Sequence, residues 1–64
     1  MGNKIVEARK EMNMSQEELA QKSGVSRATI SGLESGRITI TTTSTLSKIS
    51  SALNKTVSEI FFTD

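Results

Sequence analysis

The residues able to do chemistry cluster in the run SRATIS, Ser26–Ser31, where one guanidinium stands among three hydroxyls. Hydrogen bonding is the chemistry such a set supports. Covalent or acid–base catalysis is not, because the chain has neither His nor Cys. Its carboxylates are scattered, so no acid–base or nucleophile constellation can be assembled. The same absences remove disulfides and thiolate zinc sites. The sequence therefore predicts no enzyme, no metal and no cofactor.

Side chains of this kind need rigid elements to hold them, and the sequence marks those elements with caps. Asn3 precedes KIVEARKEM, in which Ile5, Ala8, Arg9 and Met12 fall on one side at helical spacing. This predicts a first helix over about residues 4–12, ended by Asn13 in a left-handed cap. Met14 then turns inward. Ser15 with Glu18 three residues on makes a capping box that opens a second helix. Leu19 and Ala20 supply its inner side, and Gly24 stops it. Val25 points in, Ser26 caps a third helix, RATISGLES, held by Ile30 and Leu33, and Gly36 ends it. A fourth starts near Thr42, carries Leu46, Ile49, Ala52 and Leu53, and ends at Asn54. Thr56 and Glu59 form a second capping box for a short fifth helix with Val57, Ile60 and Phe61. The expected fold class is all-α, a compact arrangement of five helices in a single domain over 1–64.

Sixty-four residues leave room for one small core. Domains of this size commonly add a disulfide, a metal or a partner subunit, and only the last remains open here. No apolar run is long enough for a membrane span or a signal-peptide core. The expectation is a soluble, cytoplasmic protein. A formal charge of +1 is neither the footprint of a strong polyanion binder nor evidence against one; what matters is whether the cations share a face.

The stretch RITITTTST, Arg37–Thr45, is β-branched almost throughout, yet it lies between two helices. A strand is not expected, because nothing else reads as a β partner and a lone strand leaves its ladder groups unpaired. Ile38 and Ile40 alternate, so at least one should tuck under the helices. The hydroxyls then either face a phosphate backbone or form a solvated connector with one capping threonine.

SQEELAQKSGVSRATISGLESG, Ser15–Gly36, resembles the helix-turn-helix of the lambda repressor and Cro family, the Xre-like regulators. LSKISSALNKTVSEIF resembles that family's fourth and fifth helices, so the likeness covers nearly the whole chain. Ala20 is small where the next helix crosses, Gly24 makes the turn, and Val25, Ile30 and Leu33 with Leu19 lock the pair. The resemblance implies a lambda-repressor-like fold binding a double-stranded DNA operator, with the third helix in the major groove. Base-reading candidates are then Ser26, Arg27, Ala28, Thr29, Ser31 and Gly32. Arg27 leads, since a guanidinium pairs bidentately with guanine O6 and N7, and a cation at a helix N-terminus gains nothing from local structure. Gly32 is odd: mid-helix glycine costs about 1 kcal/mol relative to alanine. Either a close approach to DNA requires it or the position reads nothing.

Phosphate-contacting candidates are Gln16, at the start of the second helix where free N–H groups favour an anion, and more weakly Ser15, Lys22, Ser35 and Arg37. Thr41 takes the place of the family's proline and Thr42 that of its cap; with Thr43 they complete the phosphate set. The match to related proteins makes Arg9 and Glu34 a buried structural ion pair joining the first helix to the third. Binding as a homodimer is implied, and Ile60, Phe61 and Phe62 are the interface candidates. No membrane or small-molecule partner is expected. The function this implies is a sequence-specific transcriptional regulator, a repressor acting on a palindromic operator. The alternative is an antitoxin-like protein-binding module with secondary DNA binding.

Overall fold

Side-chain hydroxyls start four of the helices. Ser15, Ser26, Thr42 and Thr56 each sit in extended backbone and accept a hydrogen bond from the amide three residues on. This satisfies one of the donors that every helix start leaves bare. Both expected capping boxes close reciprocally, with Glu18 accepting from the Ser15 amide at 3.0 Å and Glu59 from the Thr56 amide at 2.8 Å. The two amide and hydroxyl bonds from Thr56, aided by Lys55 nearby, hold the Glu59 carboxyl below its ordinary range.

The computed structural model describes residues 3–39 and 41–62, and within them the order is α1 (Ile5–Glu11), α2 (Gln16–Ser23), α3 (Arg27–Ser35), α4 (Thr43–Ala52) and α5 (Val57–Phe61). The all-α expectation holds, with no strand among the described residues. Positive φ marks the predicted helix stops: 54° at Asn13, 76° at Gly24, 82° at Gly36 and 60° at Asn54. At Gly24 and Gly36 an added Cβ would meet nothing within 4 Å, so backbone conformation rather than space asks for glycine there.

Ile5, Leu19, Ile30, Ile49, Leu53 and Ile60, from all five helices, are buried to 1% exposure or less. Each such side chain contributes roughly 1.5–3 kcal/mol through burial. Ala8, Met14, Val25 and Leu33 complete the core, and Ala20, Ile38, Ala52 and Phe61 pack on its edge. Met12 departs from the expected apolar side of α1: the helix has already ended at Glu11, and Met12 is 40% exposed in the following turn.

Ile60 is the larger correction. Expected at a subunit interface, it is 1% exposed within the single chain and has no surface left to offer. Its carbonyl also accepts from the Lys4 amide at 2.9 Å, which pins α5 to the start of α1. Phe61 is half-buried against the core, whereas Phe62 is 70% exposed. Asn3 adds a second tie at this end. Its Oδ1 accepts from the Ile5 amide at 3.2 Å while its Nδ2 donates to the Leu33 carbonyl at 2.9 Å, so one side chain ties the start of α1 to the last turn of α3.

Ser50 is 1% exposed in the last turn of α4, and its hydroxyl finds no hydrogen-bond partner among the described residues. An unpaired buried hydroxyl is a net loss. Ser50→Ala should therefore stabilise the fold by about 1 kcal/mol, read from the midpoint of urea unfolding at unchanged slope; a loss of stability would show that the hydroxyl is satisfied.

Candidate nucleic-acid interface

α2 and α3 are joined through Gly24, Val25 and Ser26 only. The left-handed Gly24 reverses the chain, its amide still bonding back to the Ala20 carbonyl at 2.9 Å. Ser23 contributes something its type did not announce. It is buried, and its Oγ accepts from the Val25 amide at 3.1 Å, fixing the turn from inside. Val25, Ile30 and Leu33 then anchor α3 to the core. With that side committed, the opposite side of α3 faces out.

Of the six base-reading candidates, Ser26, Arg27 and Ala28 are exposed, Thr29 and Ser31 half-buried, and Gly32 buried. Ser26 is committed to the cap. Its Oγ accepts from the Thr29 amide at 3.2 Å and donates to Thr29 Oγ1 at 2.9 Å. The Thr29 hydroxyl, having accepted, keeps its own proton for an outside acceptor.

Gly32 is a correction. It presents no reading surface, because Ile38 from the following connection lies across it. A Cβ at position 32 would fall 2.6 Å from Ile38 Cγ1. The Ile38 amide donates to the Gly32 carbonyl at 2.9 Å, and Ser35 Oγ donates to the same oxygen at 3.2 Å. The close approach that requires glycine is therefore internal. Ile38 is the residue of RITITTTST that tucks in; Ile40 lies outside the described residues.

The phosphate candidates divide. Ser15 and Thr42 act as caps through their hydroxyl oxygens. Lys22, Ser35, Arg37 and Thr43 are exposed and Thr41 is half-buried. Ser35 Oγ also accepts from the Arg37 amide at 3.3 Å, so the start of the connection is tied to the end of α3. No side-chain hydrogen bond or ion pair among the described residues joins Lys22, Thr41 or Thr43 to α3.

Gln16, the first of the phosphate candidates, is engaged within the chain. It is half-buried, and its Nε2 donates to Glu34 Oε1 at 2.7 Å. Its Oε1 faces Arg27 Nε at 3.5 Å, the outer limit of a hydrogen bond. Glu34 in turn meets Arg9 side-on, with Nε to Oε2 at 2.8 Å and Nη2 to Oε1 at 3.2 Å. Arg9 Nη1 donates to the Met14 carbonyl at 2.8 Å. The two side chains are 13% and 8% exposed, so the pair is largely desolvated, as expected for a tie between α1 and α3. The link from Glu34 to Gln16 spans eighteen residues and had no local signal.

The sequence profile described as Helix-turn-helix matches residues 5–60. The chain belongs to the lambda repressor-type, Xre-like helix-turn-helix family. No curated protein and no solved structure matches it. Membership makes the chain a DNA-binding helix-turn-helix regulator, and the family is a DNA-binding regulatory one. Among the described residues no helix is long and apolar enough to cross a membrane, and no group of His, Cys, Asp and Glu is placed to hold a metal.

Gly32→Ala should destabilise the helix-turn-helix by roughly 1–3 kcal/mol, although alanine is the better helix former. Combined with Ile38→Ala it should lose much less than the two single changes summed. Thermal melts of the three variants check this, and strict additivity would refute the Gly32–Ile38 contact.

Proposed function

We propose that this chain, one helix-turn-helix domain over 1–64, is a cytoplasmic transcriptional repressor that binds a palindromic operator as a homodimer. In this reading α3 enters the major groove with Arg27 foremost, and Ala28, Thr29 and Ser31 beside it. The observation that carries it is Arg27 itself. It is an exposed cation in the first turn of α3, without a carboxylate partner among the described residues and at the helix end where the dipole disfavours it. Guanine O6 and N7 offer a guanidinium what the chain does not. Ser26 supports the approach by holding the helix start, and Ala28 is small enough to meet a thymine methyl.

Phosphates on either side would be met by Gln16, Lys22 and Arg37, with the hydroxyls of Ser15, Ser35, Thr41, Thr42 and Thr43 beside them. Such contacts hold register and carry no sequence information. Since only four or five side chains of α3 are left to read bases, DNA shape and flexibility should supply part of the discrimination.

The homodimer reading rests on Phe62. A side chain this apolar at 70% exposure is left to be covered by something. It borders an open groove of about 400 Å³ lined also by Leu33, Ile38, Leu46 and Phe61. A second copy would set two α3 helices about 34 Å apart, one turn of B-DNA.

Selection from random duplexes should yield a palindromic site whose affinity falls steeply with salt. Arg27→Ala should relax preference at defined base pairs, by about 1–3 kcal/mol each, whereas Lys22→Ala should weaken all sequences alike and shallow the salt slope by about one unit. No enrichment of any sequence would defeat the regulator reading in favour of a protein-binding module. Sedimentation tests the dimer separately: the chain should self-associate and Phe62→Ser should not, while equal monomer behaviour of both at high concentration with DNA binding intact would remove Phe62 from the interface.

A further inference from the structure

We infer that Ile38 is a specificity-determining residue: its side chain takes the place that Gly32 leaves empty on the outer side of α3, and there it meets a thymine methyl group. The inference rests on α3 entering the major groove, and it extends the reading surface to a residue outside the helix.

Helix geometry sets the place. Residues advance about 100° each around an α-helix, so Gly32, two on from the fully buried Ile30, stands about 200° round from it. Ala28 shares that outward line one turn earlier, with about 5–6 Å between the two Cβ positions. Ala28 is exposed, as an outward residue should be, yet Gly32 is buried. Its cover is Ile38. A Cβ on Gly32 would fall 2.6 Å from Ile38 Cγ1, so Ile38 already fills the volume that a side chain at position 32 would take.

The seat is fixed. The Ile38 amide donates to the Gly32 carbonyl at 2.9 Å, and Ser35 Oγ donates to the same oxygen at 3.2 Å. A β-branched side chain also has few rotamers to lose on binding. One flank of Ile38 packs on the edge of the core, beside the groove that Leu46 and Phe61 line. The residue is nevertheless only half-buried. Standing in the place of residue 32, it continues the line of Ala28 as a short apolar strip beside Arg27, Thr29 and Ser31. Apolar atoms offer nothing to the donors and acceptors of base edges. In the major groove their partner is the C5-methyl group that only thymine carries.

The test replaces the thymines of the selected duplex one at a time by deoxyuridine, which removes the C5-methyl and keeps every base-edge donor and acceptor. Affinities are measured for the wild type, Ile38→Ala and Ile38→Val, each first checked by thermal melting. At one thymine the methyl should strengthen wild-type binding about fourfold, the effect of burying one methyl group. It should add nothing for Ile38→Ala, and about twofold for Ile38→Val, which keeps a β-branched side chain over Gly32. Every other thymine should give the same ratio in all three proteins. The ratio at a single base isolates this contact from any general weakening that a looser connection brings. If Ile38→Ala unfolds, the Ile38→Val ratio decides. Ratios that are equal in wild type and variant at every thymine, or a selected site that needs no thymine, make Ile38 a packing residue only. Arg27→Ala would then still relax its own base pairs, and the reading by α3 would stand. A wild type that enriches no duplex overturns the DNA reading itself, and this inference with it.

Discussion

One largely desolvated ion pair holds the outer parts of this molecule in register. Arg9 and Glu34 meet side-on with two hydrogen bonds, and Nη1 of Arg9 donates to the Met14 carbonyl where α1 gives way to α2. Three segments thus converge on one guanidinium. Desolvating such charges is expensive, and hydrophobic replacements are often as stable. What apolar side chains would not reproduce is direction: a bidentate fork fixes both angle and distance. Here direction is wanted, because no side-chain hydrogen bond among the described residues joins α1 to the outward side of α3.

The core does the complementary work. Six aliphatic side chains buried to 1% exposure or less come from all five helices, so no helix can shift alone. Four of the helix starts are fixed locally by hydroxyls, and the stops of α1 to α4 by glycine or asparagine in left-handed backbone. Local and global preferences agree over most of the chain, the condition under which a short sequence specifies one structure.

That agreement explains what could be read in advance. Capping boxes, glycine stops and the periodic apolar residues depend on neighbours within four positions, and these signals survive in one dimension. Where the reading failed, the deciding contact was between distant residues. The reason for Gly32 stays open in the sequence because its partner, Ile38, approaches from a connection with no periodic pattern. Ile60 reads as an interface residue in the sequence because nothing local reveals that the Lys4 amide bonds its carbonyl and the core claims its side chain. Gln16 stands at the start of α2 as the capping box implies, but its bond to Glu34 leaves no local trace. Asn3 marks the start of α1, and its second bond, to the last turn of α3, is silent in the sequence for the same reason. Arg9 is the instructive exception: a charge on an apolar face advertises a distant partner.

The seating of Ile38 over Gly32 bears on how such a reading head can be exchanged between proteins. Arg27, Ala28, Thr29 and Ser31 lie on the outward side of α3, and they can be exchanged without disturbing the core residue Ile30 between them. Position 32 is different, since whatever stands there must fit the chain that comes after the helix. A donor segment ending at residue 31 transplants as a cartridge; one that carries its own residue 32 must bring its connection along. The outer surface of α3 is therefore modular up to one residue, and beyond it helix and connection are inherited as a single piece.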